Sequence, residues 1–300
     1  MRRHGLTLAG TSLLAMLASA LPAHAGPPVP AGDPIIVRPP ATGAERHEEL
    51  RDFTRKVIRP PRMHHPVAKF LYPVCVTVLG LAPGDAAVIA ERIRENAEML
   101  GVGANRASDC VPTVRVAFMA PAAGPATGWL TAQSPQLAHL ASYQRERVLA
   151  ESGPVRAWNK VVVRDINGRA IEPQIGDQLR FPTFAEVEQF STTDPIVTTE
   201  ITAAAVLIAR DAADGFTLGQ LADYATMRTL LGTGAPEGDP PAPTILTLFD
   251  DPQAPAGLTD FDRALVRGLY DASRNAKPRR VFNAIALAAV AAERSGAGGN

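Results

Sequence analysis

Apolar positions along the chain fall into two rhythms, and the alternation of those rhythms predicts the elements. Phe70 to Leu79 (FLYPVCVTVL) and Thr113 to Phe118 (TVRVAF) are short runs rich in β-branched and aromatic residues, the signature of strands. Between them Pro83-Gly84-Asp85 opens a stretch carrying Ile89, Ile93, Ala97 and Leu100 at spacings of four, four and three, one stripe of a helix that Gly101 and Gly103 end. Strand, helix, strand predicts a parallel βαβ unit with a right-handed crossover.

The later pattern extends the sheet and then turns helical. Trp158 to Asp165 (WNKVVVRD) predicts a strand followed by an Asn167-Gly168 hairpin signal, and Ala204 to Ala209 (AAVLIA) is apolar enough for the middle of a sheet. Ser134-Pro135 opens a helix expected to reach Ser152, and Gln174 to Phe190 reads mostly as loop. Thr217 caps a helix with Leu218, Leu221, Ala222 and Ala225 inward, and Ile245 to Phe249 reads as strand-like. Thr259 and Asp262 form a capping-box pattern ahead of Phe261, Leu265 and Leu269, and Arg280 to Glu293 is an Ala-rich helix. The expectation is an α+β fold, a mixed sheet with an N-terminal βαβ-like unit and a helical C-terminal third.

The two ends change the picture of where the chain works. Arg2-Arg3, an apolar run from Leu6 to Leu21 and Ala23-His24-Ala25 before Gly26 have the plan of a secretory signal peptide over residues 1–25. Gly26 to Pro40 holds six prolines and reads as an extended tether, followed by a short polar helix from Ala44 to Ile58 that Pro60-Pro61 stops. Residues 63–294 are then expected as one α+β domain, with Ser295 to Asn300 a frayed tail. A periplasmic or secreted location follows, with no membrane span once the signal is removed.

Charge and cysteines narrow the partners. The chain carries 30 basic and 30 acidic residues, and loss of Arg2 and Arg3 with the signal leaves 28 against 30, a net charge of −2. That balance gives no footprint for nucleic acid, so the expected partner is an envelope protein or a small ligand. Cys75 and Cys110 are the only cysteines, and a pair in an exported chain predicts a disulfide across the βαβ unit.

Catalytic constellations are missing from the primary sequence. No H-E-x-x-H, C-x-x-C, G-x-S-x-G or phosphate-cradling glycine motif occurs, and no cofactor is expected. His47, His64, His65 and His139 remain after signal removal, and His64-His65 diverge on either a strand or a helix. A metal site would need His64, His65 and His139 to converge from distant positions with an Asp.

Phe216 to Leu231 (FTLGQLADYATMRTLL), the AAVLIA run before it and Leu258 to Tyr270 (LTDFDRALVRGLY) after it resemble the ending of an uncharacterised family of exported alphaproteobacterial proteins. Pro154 to Arg169 (PVRAWNKVVVRDINGR) is similar to that family too. More remotely, a strand, a central helix and a closing helix resemble zincin-like metallopeptidases. That resemblance places Gln220-Leu221-Ala222-Asp223-Tyr224 where those enzymes carry H-E-x-x-H, so both imidazole ligands and the carboxylate base are replaced. It implies a noncatalytic relative. Gln220, Asp223 and Tyr224, at i, i+3 and i+4 on one helical face, are the candidate binding residues. The leading expectation is therefore a noncatalytic binding or structural envelope protein. A divergent metal-dependent hydrolase is the rival, and the tether as spacer for a docking domain is a third reading.

Overall fold

The computed structural model describes residues 42–58, 65–120, 126–165, 167–171 and 197–297. The expected signal peptide (residues 1–25) and Pro-rich tether, His64, the stretch from Gln174 to Phe190 and residues 298–300 lie outside them.

The predicted βαβ unit forms. Strand β1 (Val76–Leu79), helix α2 (Pro83–Met99) and strand β2 (Val114–Met119) make a parallel pair with Val76 opposite Val114. The ladder is shorter than the apolar run that predicts it, because Pro73 cannot donate to a ladder and only Val74 adds an isolated bridge, to Ala104. Helix α2 stops where the glycines predict. Gly101 adopts φ +80°, the Val102 N–H reaches back to the Ala97 carbonyl at 2.8 Å and the Gly101 N–H to that of Glu98 at 3.1 Å, a Schellman turn. The predicted disulfide joins Cys75 to Cys110 with Cα atoms 6.1 Å apart, tying the start of β1 to the loop before β2.

Strand β5 (Thr198–Ala209) is central, parallel to β2 and antiparallel to β3 (Val155–Arg164), which pairs at its far end with β4 (Ala170–Ile171). The sheet order is β1-β2-β5-β3-β4. Lys160 pairs with Ala203 and Val161 with Ile201, so Thr202 is left over as a bulge midway along β3.

One face of the sheet, carrying Val114, Val116, Phe118, Ala157, Ala204, Val206 and Ile208, packs into the main core. That core is completed by α1 (Gly43–Val57), α2, α5 (Leu218–Leu230), α6 (Asp260–Asp271) and α7 (Pro278–Ala297), while α4 (Arg210–Ala213) is a single turn after β5. The helix that the sequence groups with the tether is part of this body. Leu50, Phe53 and Val57 are buried, the Phe53 ring lies 5.7 Å from that of Phe261, and Arg46 pairs with Glu293. Its start is a capping box between Thr42 and Glu45. The opposite face carries a smaller cluster, Leu130, Leu137, Leu140, Val148 and Trp158.

Three expectations change. Ile245 to Phe249 is a 3-10 turn (Ile245–Thr247), not a strand, because Thr244 caps it and the buried Asp262 carboxylate accepts the Ile245 N–H at 2.9 Å. The helix expected from Ser134 to Ser152 breaks into a 3-10 turn (Pro135–Leu137) and α3 (Ser142–Ala150), where the Gln144 side chain accepts the Ala141 N–H at 3.0 Å and restarts the spiral. Ser295 to Ala297 belong to α7 instead of a frayed tail. No described helix is long and apolar enough to cross a membrane.

Candidate functional site

Gln220, Asp223 and Tyr224 share helix α5, and each is bonded within the fold. Gln220 completes the N-terminal capping box, its Oε1 accepting from the Thr217 N–H at 3.1 Å and its Nε2 donating to the Pro255 carbonyl at 3.1 Å. Asp223, 1 % exposed, accepts from Arg92 Nε at 2.9 Å and Nη2 at 3.1 Å, from Asn96 Nδ2 at 2.7 Å and from the Leu258 N–H at 3.0 Å. A side chain at Gly257 would come within 2.8 Å of that carboxylate, so glycine is what lets the chain pass. Burial raises the Tyr224 phenol above its ordinary pKa, and the hydroxyl accepts from Arg228 Nη1 at 2.6 Å. Arg228, 1 % exposed, also reaches Glu151 at 2.6 Å and the Thr233 carbonyl at 3.0 Å. These groups hold α5 to α2, to the Gly257-Leu258 loop and to the end of α3.

A well-formed recess lies elsewhere, around β3. A cavity of about 590 Å³ is enclosed by the His139 loop, α3, the second half of β3, β4, the N-terminal part of β5, the His65–Ala68 segment and the ends of α1 and α5. Its volume falls within the roughly 300–1,000 Å³ usual for small-ligand pockets. Among the described residues β4 pairs only with Val163 and Arg164 on the edge of β3 away from β5, so on that edge the stretch from Trp158 to Val162 is left uncovered and forms part of the wall. The apolar lining comes from Trp158, Val161, Val163, Ile171, Ile201 and Leu231.

The polar lining is one-sided in charge. Arg147 of α3 and Lys160 of β3 stand exposed, with His65 and His139 also in the lining, and among the described residues no aspartate or glutamate lines the cavity. Neither Arg147 nor Lys160 has a carboxylate within ion-pair distance among the described residues. Burial, then the Lys160 ammonium, hold the His139 imidazole below its ordinary pKa, so Arg147 and Lys160 carry the positive charge at neutral pH. Thr199, 3 % exposed, also lines the cavity, and its buried Oγ1 has no hydrogen-bond partner among the described residues. The Oδ1 of Asn159, another lining residue, is in the same condition.

Two of the three histidines singled out from sequence thus meet at one cavity, His65 and His139; His64 lies outside the described residues. Among the described residues no three His, Cys, Asp or Glu side chains cluster as a metal site. Lys160, Arg147 and Trp158 escape motif reasoning because each looks ordinary in its own element. The available signal is the pair Asn159-Lys160, which interrupts an otherwise apolar strand beside the bulge. Comparison of the chain with protein-family models, with curated proteins and with solved structures finds no match.

Proposed function

We propose that this chain is an exported binding protein without a catalytic centre, and that the cavity around β3 holds its ligand. The observation that carries the proposal is the combination of an apolar lining with two buried polar atoms, Thr199 Oγ1 and Asn159 Oδ1, that have no hydrogen-bond partner among the described residues. Export is supported by the signal pattern of residues 1–25 and by the Cys75–Cys110 bridge, which suits an oxidising compartment. The polar face of α5 serves cohesion, in keeping with loss of the H-E-x-x-H residues expected from the zincin resemblance.

Trp158 offers the test. With Trp129 replaced by Phe, the remaining indole reports on the cavity, and a ligand of the protein should change its emission saturably. Robust hydrolysis by the purified mature protein, lost on a single polar substitution, would overturn the reading. The convergence of His65 and His139 on the same cavity favours one rival, a metal-dependent hydrolase completed by a further ligand. Metal content of protein purified from the envelope fraction without chelators separates the two. About one zinc per chain, lost on joint replacement of His65 and His139, selects the hydrolase.

A further inference from the structure

We infer that the cavity around β3 takes an amphipathic carboxylate, with its apolar body against Trp158 and the valine-rich half of β3 and its charged head at the rim that carries Lys160 and Arg147. This rests on the binding reading above and adds the chemical class of the ligand.

Three features lead to it. The first is the division of the lining: Trp158, 7 % exposed, and the buried Leu231 and Ile201 give it an apolar floor that the half-buried Val162 and Val163 and the exposed Val161 continue outward, whereas the charged Arg147 and Lys160 are exposed. A ligand filling it must be apolar over most of its surface and polar at one end. The second is sign. Two cations from two different elements, with no carboxylate in the lining and no ion pair at either cation among the described residues, give a positive rim that an anion complements. The third is the kind of donor. Lys160 is a point charge on a flexible stem and Arg147 a planar fork, a set that suits a single carboxylate. The convergent backbone N–H groups of a phosphate cradle are not needed for it.

The bulge at Thr202 links the rim to the fold. It falls between the Lys160 and Val161 pairings, and the Thr202 hydroxyl donates to the Lys160 carbonyl at 3.3 Å, so the backbone carrying the cation is fixed where the strand changes register. Burial, and after it the Lys160 ammonium, hold the His139 imidazole below its ordinary pKa, so it adds no positive charge to the rim at pH 7.

The test compares three probes that share a dansyl-labelled undecyl chain and differ in the head: carboxylate, alcohol and amine. Each is titrated by fluorescence into the full mature protein. The acid is expected to bind about tenfold tighter than the alcohol, with the amine weakest, and the preference should shrink as salt is raised. Lys160→Gln with Arg147→Gln should bring the acid to the affinity of the alcohol, which itself should be unchanged, and Lys160→Arg should retain the preference. Both side chains are exposed, so folding is expected to survive, and circular dichroism checks it. Equal binding of acid and alcohol, or a preference that persists in the double variant, overturns the inference while leaving a binding cavity in place. Failure of all three probes to change the emission of Trp158, read in the Trp129→Phe variant, overturns the inference together with the reading beneath it.

Discussion

The polar face of helix α5 and the rim of the β3 cavity look alike in sequence and are opposite in the fold. On α5, Asp223 has four donors on its two oxygens and Tyr224 is locked to a buried arginine, so their hydrogen-bonding capacity goes into holding helices together. At the cavity, Lys160 and Arg147 have no carboxylate partner among the described residues, and among those residues the buried Thr199 hydroxyl has no hydrogen-bond partner. A buried polar group lacking a hydrogen bond costs free energy, and a fold tolerates it most readily where something else supplies the bond. The first region is therefore read through stability and the second through binding, and each can be disturbed without the other.

The largest separation should come from the disulfide. Cys75 and Cys110 lie at the β1 edge, across the sheet from β3. Replacing both with Ser reopens a loop spanning 35 residues, and chain entropy puts the loss at about 3–4 kcal/mol. Urea unfolding should show that loss, while acid-probe affinity of the folded fraction stays at the parent value. Altered affinity would mean that the two edges are coupled.

Asp223→Ala should cost about 3 kcal/mol, because it strands the Asn96 amide and the Leu258 N–H in the interior and removes the partner of Arg92. The unfolding midpoint measures this. If Asp223 instead contacts a ligand, stability would change little and probe affinity would fall.

Much of the architecture is readable from the chain because its signals are local. The stripe Ile89-Ile93-Ala97, the capping pairs Thr217/Gln220 and Thr259/Asp262 and the glycine after Leu100 each act within a few residues, and each element forms close to where it is expected. Local signals fail where a distant partner competes. Asp262 pulls Ile245 into a turn from 17 residues away. The candidate site fails for the same reason in stronger form. Polar spacing on α5 cannot say that Arg92 and Asn96 lie opposite, and nothing near Lys160 in sequence reveals that His139, Arg147 and His65 line the same cavity.

A smaller effect should appear in the pH dependence of stability. Lys69, 5 % exposed, donates to the carbonyls of Leu269 at 3.1 Å and Ala272 at 2.5 Å, closing the C-terminal end of α6. Burial, with repulsion from Arg274, lowers its pKa to about 8, against about 10.4 in an unfolded chain. Between these values the unfolded state binds more protons, so stability should rise as pH increases from 8. The rise should end near pH 10, where tyrosines begin to ionise in the unfolded chain while burial keeps Tyr224 and Tyr270 protonated in the fold. Lys69→Met should flatten the rise. Parallel curves for parent and variant would assign it to another group.

The smallest expected change is also the most informative about the comparison. Thr199→Val replaces a buried, unpartnered hydroxyl with a methyl group of nearly the same shape. In the protein without ligand it should raise stability, by up to about 1 kcal/mol, because the desolvation of an unbonded hydroxyl is no longer borne by the folded state. A ligand that bonds to this hydroxyl would reverse the sign, so that the variant gains stability alone and loses it relative to the parent when ligand is present. Thermal unfolding with and without the acid probe reads both quantities on one protein. A gain that is the same in both conditions would show that Thr199 belongs to the wall of the cavity and makes no bond to that ligand. No comparable gain is available at Asp223, where every replacement gives up hydrogen bonds the fold already uses.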